Sequence, residues 1–317
     1  LFYKDTSSSI ITYNDSPDVG FDASINPYRG CEHGCAYCYA RPTHEFLGLS
    51  AGLDFETKIL VKENAPELLR HELAARSYTP QVLALSGVTD PYQPIERSLQ
   101  LTRKCLQVLE RAGNLAALIT KNHLVTRDTD IFRTMHKFNG IKIYISLPTL
   151  DNSLRQYLEP RTSHSGKRLE AMKRLSSDGI PTGVLIAPVI PGLTDHEIPG
   201  ILRTAKNHGA TFAGYIVLRL PYNLKTQFEH WLNAHLPYRK DKILNRIKSI
   251  RNGNLNDSQF NRRMTGTGVY ADQIQHLFQM GLQRAELTGE SPALSTDSFV
   301  RPELNGQISL FNQENSD

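Results

Sequence analysis

The 317-residue sequence contains few cysteines, a single tryptophan, no long apolar run and a net charge of only +4. Four cysteines in a chain of this length exclude a small disulfide-stabilised secreted scaffold. No segment approaches the roughly 18 consecutive apolar residues of a membrane-spanning helix. The first residues, Leu1 to Asp5, soon turn polar and show no signal-peptide pattern. We therefore expect a cytoplasmic protein with no membrane segment.

Three of the four cysteines lie close together. Cys31, Cys35 and Cys38 have the spacing C-x3-C-x2-C, and the aromatic residue Tyr37 directly precedes the last of them. Three thiolates in one tight loop can hold a four-iron cluster by three of its corners, whereas a fourth cysteine normally closes such a cluster. Without a fourth ligand one iron stays open for a substrate or cosubstrate. The motif therefore predicts a [4Fe–4S] centre that can generate radicals.

Two alternative interpretations of the cysteines remain open. Zinc accepts three cysteines and one histidine, and His33 or His44 could supply the nitrogen. A closed zinc site would make the chain a non-catalytic nucleic-acid-binding module. Cys105 lies in a helical pattern with an apolar face, so it is either a core residue, a fourth cluster ligand or a hydrogen-atom donor.

Short apolar runs alternate with amphipathic runs along the chain, which predicts βα units and a parallel sheet. The predicted strands are 23–26, a short extra strand 57–61, 81–86, 115–120, 141–147, 182–188 and 211–218. The predicted helices between them are 64–78, capped by Asn64, and 94–112, 126–137, 165–177 and 195–208. Six main strands are too few for the closed eight-stranded form, so we expect an α/β fold with an incomplete (β/α)6 barrel. An open barrel has a lateral mouth that suits a macromolecular substrate.

The last third of the chain differs in charge. Residues 203–263 hold twelve Lys or Arg against three Asp or Glu, a net charge of +9, which is typical of either a polyanion-binding surface or a solvated helical face. Helices are predicted over 228–236, 241–251 and 270–287. We expect an N-terminal extension (1–22), the barrel (23–220), a basic helical C-terminal subdomain (221–290) and a flexible tail (291–317).

The cysteine motif and the short sequence motifs around it resemble those of the radical S-adenosylmethionine (SAM) superfamily. Within it they resemble the spore photoproduct lyase-like branch, also described as DNA-repair-photolyase-like. The resemblance covers residues 20–220 firmly and rests on Asn26-Pro27-Tyr28-Arg29-Gly30-Cys31, Cys38-Tyr39-Ala40-Arg41, Thr89-Asp90-Pro91-Tyr92-Gln93-Pro94-Ile95-Glu96, Leu124-Val125-Thr126-Arg127-Asp128 and Glu159-Pro160-Arg161-Thr162. It implies a partial barrel and a [4Fe–4S] cluster on the three cysteines. The open iron then chelates SAM, and an electron from a donor such as flavodoxin or ferredoxin yields a 5′-deoxyadenosyl radical.

The resemblance also implies a set of SAM contacts. Tyr37 lies near the adenine, and the turn containing Ser86, Gly87 and Thr89 holds the methionine amino group through its backbone. The usual acidic third member of that turn is absent, and Asp90 comes later. The resemblance assigns the carboxylate and ribose hydroxyls to the residues Lys121, Ser146 and Arg161. Lys121 could instead bind a substrate phosphate, and each of these side chains could simply form a surface salt bridge.

The substrate is predicted less directly. Lyases of this branch split a thymine dimer and use a dedicated cysteine as hydrogen donor, whereas the only further cysteine here is Cys105. The segment Gln307-Ile308-Ser309-Leu310-Phe311 resembles the short peptide that docks bacterial proteins on the replication sliding clamp, or it folds back on the barrel. Our hypothesis is a radical SAM enzyme acting on nucleic acid, in DNA repair or base modification. The alternatives are a radical SAM enzyme on a small molecule or peptide, and the zinc module.

Overall fold

The structure is a computed structural model that describes residues 1–304 and contains two sheets. Its strands are β1 Phe2–Lys4, β2 Ile11–Tyr13, β3 Ala23–Ile25, β4 Tyr28–Arg29, β5 Ile59–Val61, β6 Leu83–Leu85, β7 Ala116–Thr120, β8 Ile141–Ser146, β9 Thr182–Val189 and β10 Phe212–Val217. The larger sheet has the order β10-β9-β8-β7-β6-β3-β2. Its six strands from β3 to β10 are parallel, and β2 is antiparallel to β3. The predicted six-unit partial barrel is confirmed.

Buried aliphatic side chains explain why these segments form central strands. Leu83 and Leu85 of β6 and Ile143 of β8 are fully buried in the main core. Strands covered on both faces are typical of a parallel sheet with helices around it. Because parallel strands in successive βα units all end at the same edge, the residues that follow them converge there.

A second, three-stranded sheet fixes the chain just before the cysteines. Its order is β1-β5-β4, and the predicted short strand at 57–61 corresponds to β5. Tyr28 and Arg29 of β4 pair with Val61 and Leu60 of β5. The segment that leads into Cys31 is therefore tied to a sheet rather than left as a free loop.

The helices are α1 Leu53–Thr57, α2 Ala65–Ala74, α3 Glu96–Leu99, α4 Leu101–Arg111, α5 Thr129–Lys137, α6 Asn152–Leu158, α7 Ser165–Ser177, α8 Ile198–Asn207, α9 Leu224–His235, α10 Lys240–Ser249 and α11 Val269–Ala285. The prediction of one helix over 94–112 is wrong, because Gln100 has a left-handed φ of 55° that separates α3 from α4. The fully buried Glu96 explains the break. Its carboxylate accepts the Thr102 backbone N–H at 3.0 Å and thereby caps α4.

Two local signals at helix starts behave differently from expectation. Asn64 precedes α2 as predicted, but its side chain makes no capping hydrogen bond. Helix α6 was not predicted, although the Asp151 side chain accepts the N–H groups of Ser153 and Leu154 in a regular N-cap. Helix α6 is only two turns long, so its apolar periodicity is too short to recognise.

The C-terminal part forms the three predicted helices α9, α10 and α11. Ile274, Phe278 and Leu282 of α11 belong to the main core, so this helix packs directly on the barrel at α8. Residues 291–304 were expected to form a loose tail, but they contact the barrel. The Val300 N–H donates to the Ala112 carbonyl at 2.9 Å, and the Phe299 ring packs on Tyr78.

Two further sequence predictions concern the clamp-like peptide and the absence of a membrane segment. The clamp-like peptide, Gln307-Ile308-Ser309-Leu310-Phe311, lies outside the described residues. No helix within residues 1–304 combines the length and apolar character needed to cross a lipid bilayer.

Candidate active site

One cavity lies at the carboxyl ends of the parallel strands, and the three motif cysteines line it together. It is also lined by residues that follow the strands, among them Ser86, Gly87, Thr89, Lys121, Ser146, Ala187 and Arg219, and by the loop residues His33, Tyr37 and Tyr39. The fold thus brings together nine of the ten predicted site residues. The exception is Arg161.

The three thiols differ in exposure, and burial disfavours the ionised form of two of them. Cys31 and Cys35 are buried, and Cys38 is partly buried. Burial raises the pKa of the Cys35 thiol and raises that of Cys38 to about 11, so a bound cation is needed to favour their thiolates. In residues 1–304, no three His, Cys, Asp or Glu side chains converge as ligands of one metal ion. A [4Fe–4S] cluster needs no such convergence, since each thiolate binds a different iron.

Of the two histidines of the zinc alternative, His44 has other partners, whereas His33 lies beside Cys31 and Asp90. His44 Nε2 lies 3.0 Å from the Lys58 carbonyl oxygen, and its ring packs edge-on against Phe55. His33 Nδ1 lies 3.4 Å from Asp90 Oδ2. Burial would lower the pKa of His33, but the neighbouring Cys31 and Asp90 raise it to about 10. Within the described part of the chain, neither ring converges with the three cysteines as ligands of one metal ion.

Residues 89–96 form hydrogen bonds to the cysteine loop, which comprises residues 30–38. The buried Gln93 accepts the Glu32 N–H at 2.9 Å and donates to the Gly30 carbonyl at 3.2 Å. In return, Glu32 accepts the Ile95 N–H at 2.6 Å. Residues 26–31 and 89–96 are two of the motifs that carry the resemblance. These hydrogen bonds connect the second motif to the first and to Glu32, which follows it.

Gly30 offers a test of how tightly the loop is built. Its φ is +84°, and a Cβ there would lie 2.8 Å from the Phe55 carbonyl oxygen. We expect Gly30→Ala to lower the free energy of unfolding by about 2–5 kcal/mol and to reduce iron incorporation. Gly48→Ala is the control, because Gly48 has a φ of +71° but nothing within 4 Å of a Cβ, so we expect about 1–2 kcal/mol. Urea titration and iron analysis measure both, and equal losses would show that steric contact is unimportant.

Lys121 lies at the centre of the polar side of the cavity. Its Nζ donates to Ser146 Oγ at 2.5 Å and to the Ala187 carbonyl at 3.2 Å, and it lies 3.6 Å from Glu159 Oε1. The ammonium also lies 5.8 Å from the centre of the Tyr37 ring. One cation therefore links the ends of three neighbouring strands to the cysteine loop.

A buried ion pair between Glu159 and Arg168 lies next to Lys121 and was not predicted from the sequence. Glu159 is fully buried and accepts hydrogen bonds from Arg168 and from the Tyr37 hydroxyl. Burial would raise the pKa of Glu159, but Arg168 and Lys121 outweigh that effect and lower it. Glu159 is the first residue of the motif Glu159-Pro160-Arg161-Thr162, but Arg161 was the residue predicted from that motif.

Arg161 does not reach the cavity, so the structure gives no support to its predicted SAM contact. Its side chain is 46% exposed and pairs with Glu56. Its Nε donates to the Glu32 carbonyl oxygen. It braces the outer side of the cysteine loop.

The turn after β6 presents backbone groups to the cavity. Ser86 has a φ of 124°, which a residue with a side chain rarely adopts. The Gly87 N–H donates to Asn26 Oδ1 at 3.1 Å, and the Gly87 carbonyl accepts the Tyr39 hydroxyl. Thr89 Oγ1 donates to the Gly30 carbonyl at 2.8 Å. Thr89 therefore supports the loop as well as lining the cavity.

Asp90, whose role the sequence left doubtful, joins two strand ends. Its carboxylate accepts Thr120 Oγ1 at 2.7 Å and the Lys121 N–H at 2.8 Å. Burial opposes ionisation, yet His33 and these hydrogen bonds keep the pKa of Asp90 below its ordinary value. It therefore orients the backbone that carries Lys121.

Cys105 is fully buried on α4 within the main core and does not line the cavity. Its position supports the packing interpretation, since a buried thiol behaves as a small apolar side chain.

Comparison with known proteins identifies the family. The model of the radical SAM superfamily matches residues 25–205. The protein belongs to this superfamily. Members of this superfamily use a [4Fe–4S] cluster and SAM as cofactors and take electrons from a reductant such as flavodoxin or ferredoxin.

Several relatives share its sequence. An uncharacterised protein of Mycobacterium tuberculosis is 34% identical over 218 residues, which cover 68% of this chain and 64% of that protein. An uncharacterised protein of Methanocaldococcus jannaschii is 30% identical over 223 residues, 70% of this chain and 79% of that protein. Spore photoproduct lyase of Bacillus subtilis is 27% identical over 186 residues, 55% of this chain and 48% of that enzyme. The chain thus matches less than two thirds of the mycobacterial relative.

The fold has a close counterpart among solved structures. Spore photoproduct lyase complexed with dinucleoside spore photoproduct superposes with a TM-score of 0.60 at 16% identity, covering 89% of this chain and 78% of that one. At this identity the likeness establishes the fold alone.

Proposed function

We propose that this radical SAM enzyme acts on nucleic acid, in DNA repair or base modification, and that Cys31, Cys35 and Cys38 hold its [4Fe–4S] cluster. One observation carries the cofactor part: the three thiols line the same cavity as Lys121 and Ser146. When bound and reduced, the cluster supplies the electron that splits SAM and yields a 5′-deoxyadenosyl radical. The cavity residues bind and orient SAM for that step.

Each lining residue then has a definable task. Lys121 binds the SAM carboxylate as a point charge, and Ser146 Oγ, 2.5 Å away, orients the ammonium. The strained turn at Ser86 and Gly87 offers backbone carbonyl oxygens to the methionine amino group, which donates hydrogen bonds. The Tyr37 ring provides an apolar face, while its hydroxyl is already held by Glu159.

A basic depression supports the nucleic-acid part. It has a volume of about 320 Å³ and is bounded by Arg239, Lys242 and Arg246 of the C-terminal helices. The loop after β9 contributes Gly192 and the acid Asp195 to its wall, so the depression lies beyond the carboxyl end of that strand. Three cations against one buried acid suit the phosphates of a polyanion.

The sliding clamp stays a predicted partner through Gln307-Ile308-Ser309-Leu310-Phe311. Binding of a synthetic peptide with this sequence to a purified bacterial clamp would test it directly.

The function is tested with anaerobically reconstituted protein. We expect iron and sulfide in cluster proportion, cleavage of SAM by dithionite, and deuterium from a labelled oligonucleotide in 5′-deoxyadenosine. Binding to DNA or RNA should weaken as salt increases. SAM cleavage without nucleic-acid binding would contradict only the substrate proposal. Stoichiometric zinc in place of iron would contradict the enzyme proposal.

The assignment of Lys121 gives a sharper prediction. We expect Lys121→Met to raise the dissociation constant for SAM roughly 10- to 100-fold, because a charge-assisted hydrogen bond to the carboxylate is lost. Lys173→Met is the control, since Lys173 is exposed on α7 away from the cavity lining. Equilibrium binding of SAM to both reconstituted variants measures the effect. Unchanged affinity in Lys121→Met would rule out this contact.

A further inference from the structure

Arg219 is a cavity residue to which neither the sequence nor the family comparison gives a role. It follows β10, the last parallel strand, and lines the same cavity as the three cysteines. Within residues 1–304, Arg219 and Lys121 are the arginine and the lysine that line this cavity, which also contains the buried His33. In the sheet order, β8 and β9 separate β7, which precedes Lys121, from β10, which precedes Arg219. The two cations therefore approach the cavity from different sides.

Arg219 lacks the partners that a half-buried guanidinium normally has. Within residues 1–304, Arg219 forms no ion pair with a carboxylate, and its buried Nε has no hydrogen-bond partner. Its Nη1 donates a hydrogen bond to Met264 Sδ at 3.7 Å, and a thioether is a weak acceptor. The nearby acid Asp18 is already paired with Arg263. Burial and the charge of Arg263 lower the pKa of Arg219, which reflects the same lack of compensation.

One favourable contact is present, but it is too weak to balance this desolvation. The Arg219 guanidinium lies 5.3 Å from the centre of the Tyr39 ring. A cation–π contact of this kind is weaker than the interactions a guanidinium loses when it leaves water. Tyr39 directly follows Cys38 and is 47% exposed, so its ring is open to a ligand at the mouth. A half-buried guanidinium without a carboxylate partner, and with no acceptor for its Nε, is the arrangement expected of a site that binds an anion.

We propose that Arg219 is the specificity residue that binds an anionic group of the substrate, a phosphate of nucleic acid, at the mouth of the cavity. The planar guanidinium suits bidentate binding of phosphate. The adjacent Tyr39 ring can stack on a base, as aromatic side chains do in single-stranded nucleic-acid sites. The identity of the anion rests on the proposed function. The other anion that enters this cavity is the carboxylate of SAM, and the test must separate the two.

The first experiment compares Arg219→Gln with Arg203→Gln in the reconstituted enzyme. Arg203 is exposed on α8 and lies outside the cavity lining, so it controls for the loss of one positive charge. For Arg219→Gln we expect about tenfold weaker oligonucleotide binding and a salt slope smaller by about 1, with SAM affinity and dithionite-driven SAM cleavage unchanged. Weaker SAM binding with normal oligonucleotide binding would overturn the proposal in favour of a cosubstrate contact. Equal behaviour of the two variants would also overturn it.

A second measurement does not depend on nucleic-acid activity. Phenylglyoxal modifies accessible arginines, and peptide mapping by mass spectrometry reports the modification of Arg219 alone. We expect an oligonucleotide or inorganic pyrophosphate to protect Arg219, and SAM alone to leave it reactive. If the wild type binds no nucleic acid, the proposed substrate class fails, yet protection by pyrophosphate would still support an anion-binding Arg219. Absence of protection by either probe would refute the inference itself.

Discussion

Cys35→Ala protein, reconstituted without oxygen, is expected to lose its iron–sulfur absorbance and to cleave SAM only at the background rate. Cys35 is one of three thiols on the cavity, and two thiolates cannot anchor a four-iron cluster whose remaining iron must stay open. Iron and sulfide analysis, the electron paramagnetic resonance of the reduced protein and the yield of 5′-deoxyadenosine measure the loss.

The fourth cysteine supplies the matched control. Cys105 is fully buried in the main core, so Cys105→Ala removes a thiol of the same kind without touching the cavity. We expect normal iron content and a loss of stability of only about 1 kcal/mol from the small void. If Cys105→Ala lost the cluster and Cys35→Ala kept it, the assignment of the ligands would be wrong.

Arg168→Met is expected to lower the free energy of unfolding by about 3–5 kcal/mol, the largest stability effect among our predictions. Arg168 is 1% exposed and donates to the Glu159 carboxylate, to Thr162 Oγ1 and to the Ser146 carbonyl at 2.9 Å. Among the ion pairs of residues 1–304, its removal leaves the buried Glu159 carboxylate with Lys121 alone. Because the same carboxylate holds the Tyr37 hydroxyl, SAM affinity should fall as well.

Urea titration at matched iron content measures this effect, with Arg174→Met as the control. Arg174 lies on the same helix but is exposed, so we expect a change within about 0.5 kcal/mol. The pKa of Glu159 lies below its ordinary value of 4.5, so the stabilisation is present above 4.5 and is lost as the pH falls through the folded value. The gap between wild type and Arg168→Met should therefore shrink in acid. A constant gap, or equal losses in both arginine variants, would contradict the buried ion pair.

Elements with a long, regular apolar pattern were predicted well. Helix α7 runs over Ser165–Ser177 as predicted, since its pattern is uninterrupted and Gly179 follows its end. Strand β7 lies inside the predicted segment 115–120 because its side chains are buried on both faces. The segment 94–112 was predicted as one helix because local propensity favours it, and the buried carboxylate of Glu96 instead divides it.

The candidate site divides in the same way. The cysteine spacing and the residues after each strand were readable because parallel strands end at one edge. Glu159, Asp90 and Arg219 were not selected, since their importance depends on burial and on partners distant in the chain. Arg161 was selected for its chemistry alone, and the fold turned it toward Glu56.

By itself, the order of residues determined the six βα units and the superfamily and predicted the proposed ligand set, because thiol spacing and apolar periodicity are local properties of a chain. Tertiary structure alone decided which charges are satisfied and which are not. Arg168 is enclosed with a carboxylate, whereas Arg219 meets a thioether and an aromatic ring. Desolvation depends on every element packed around a charge, and no short stretch of sequence records that environment.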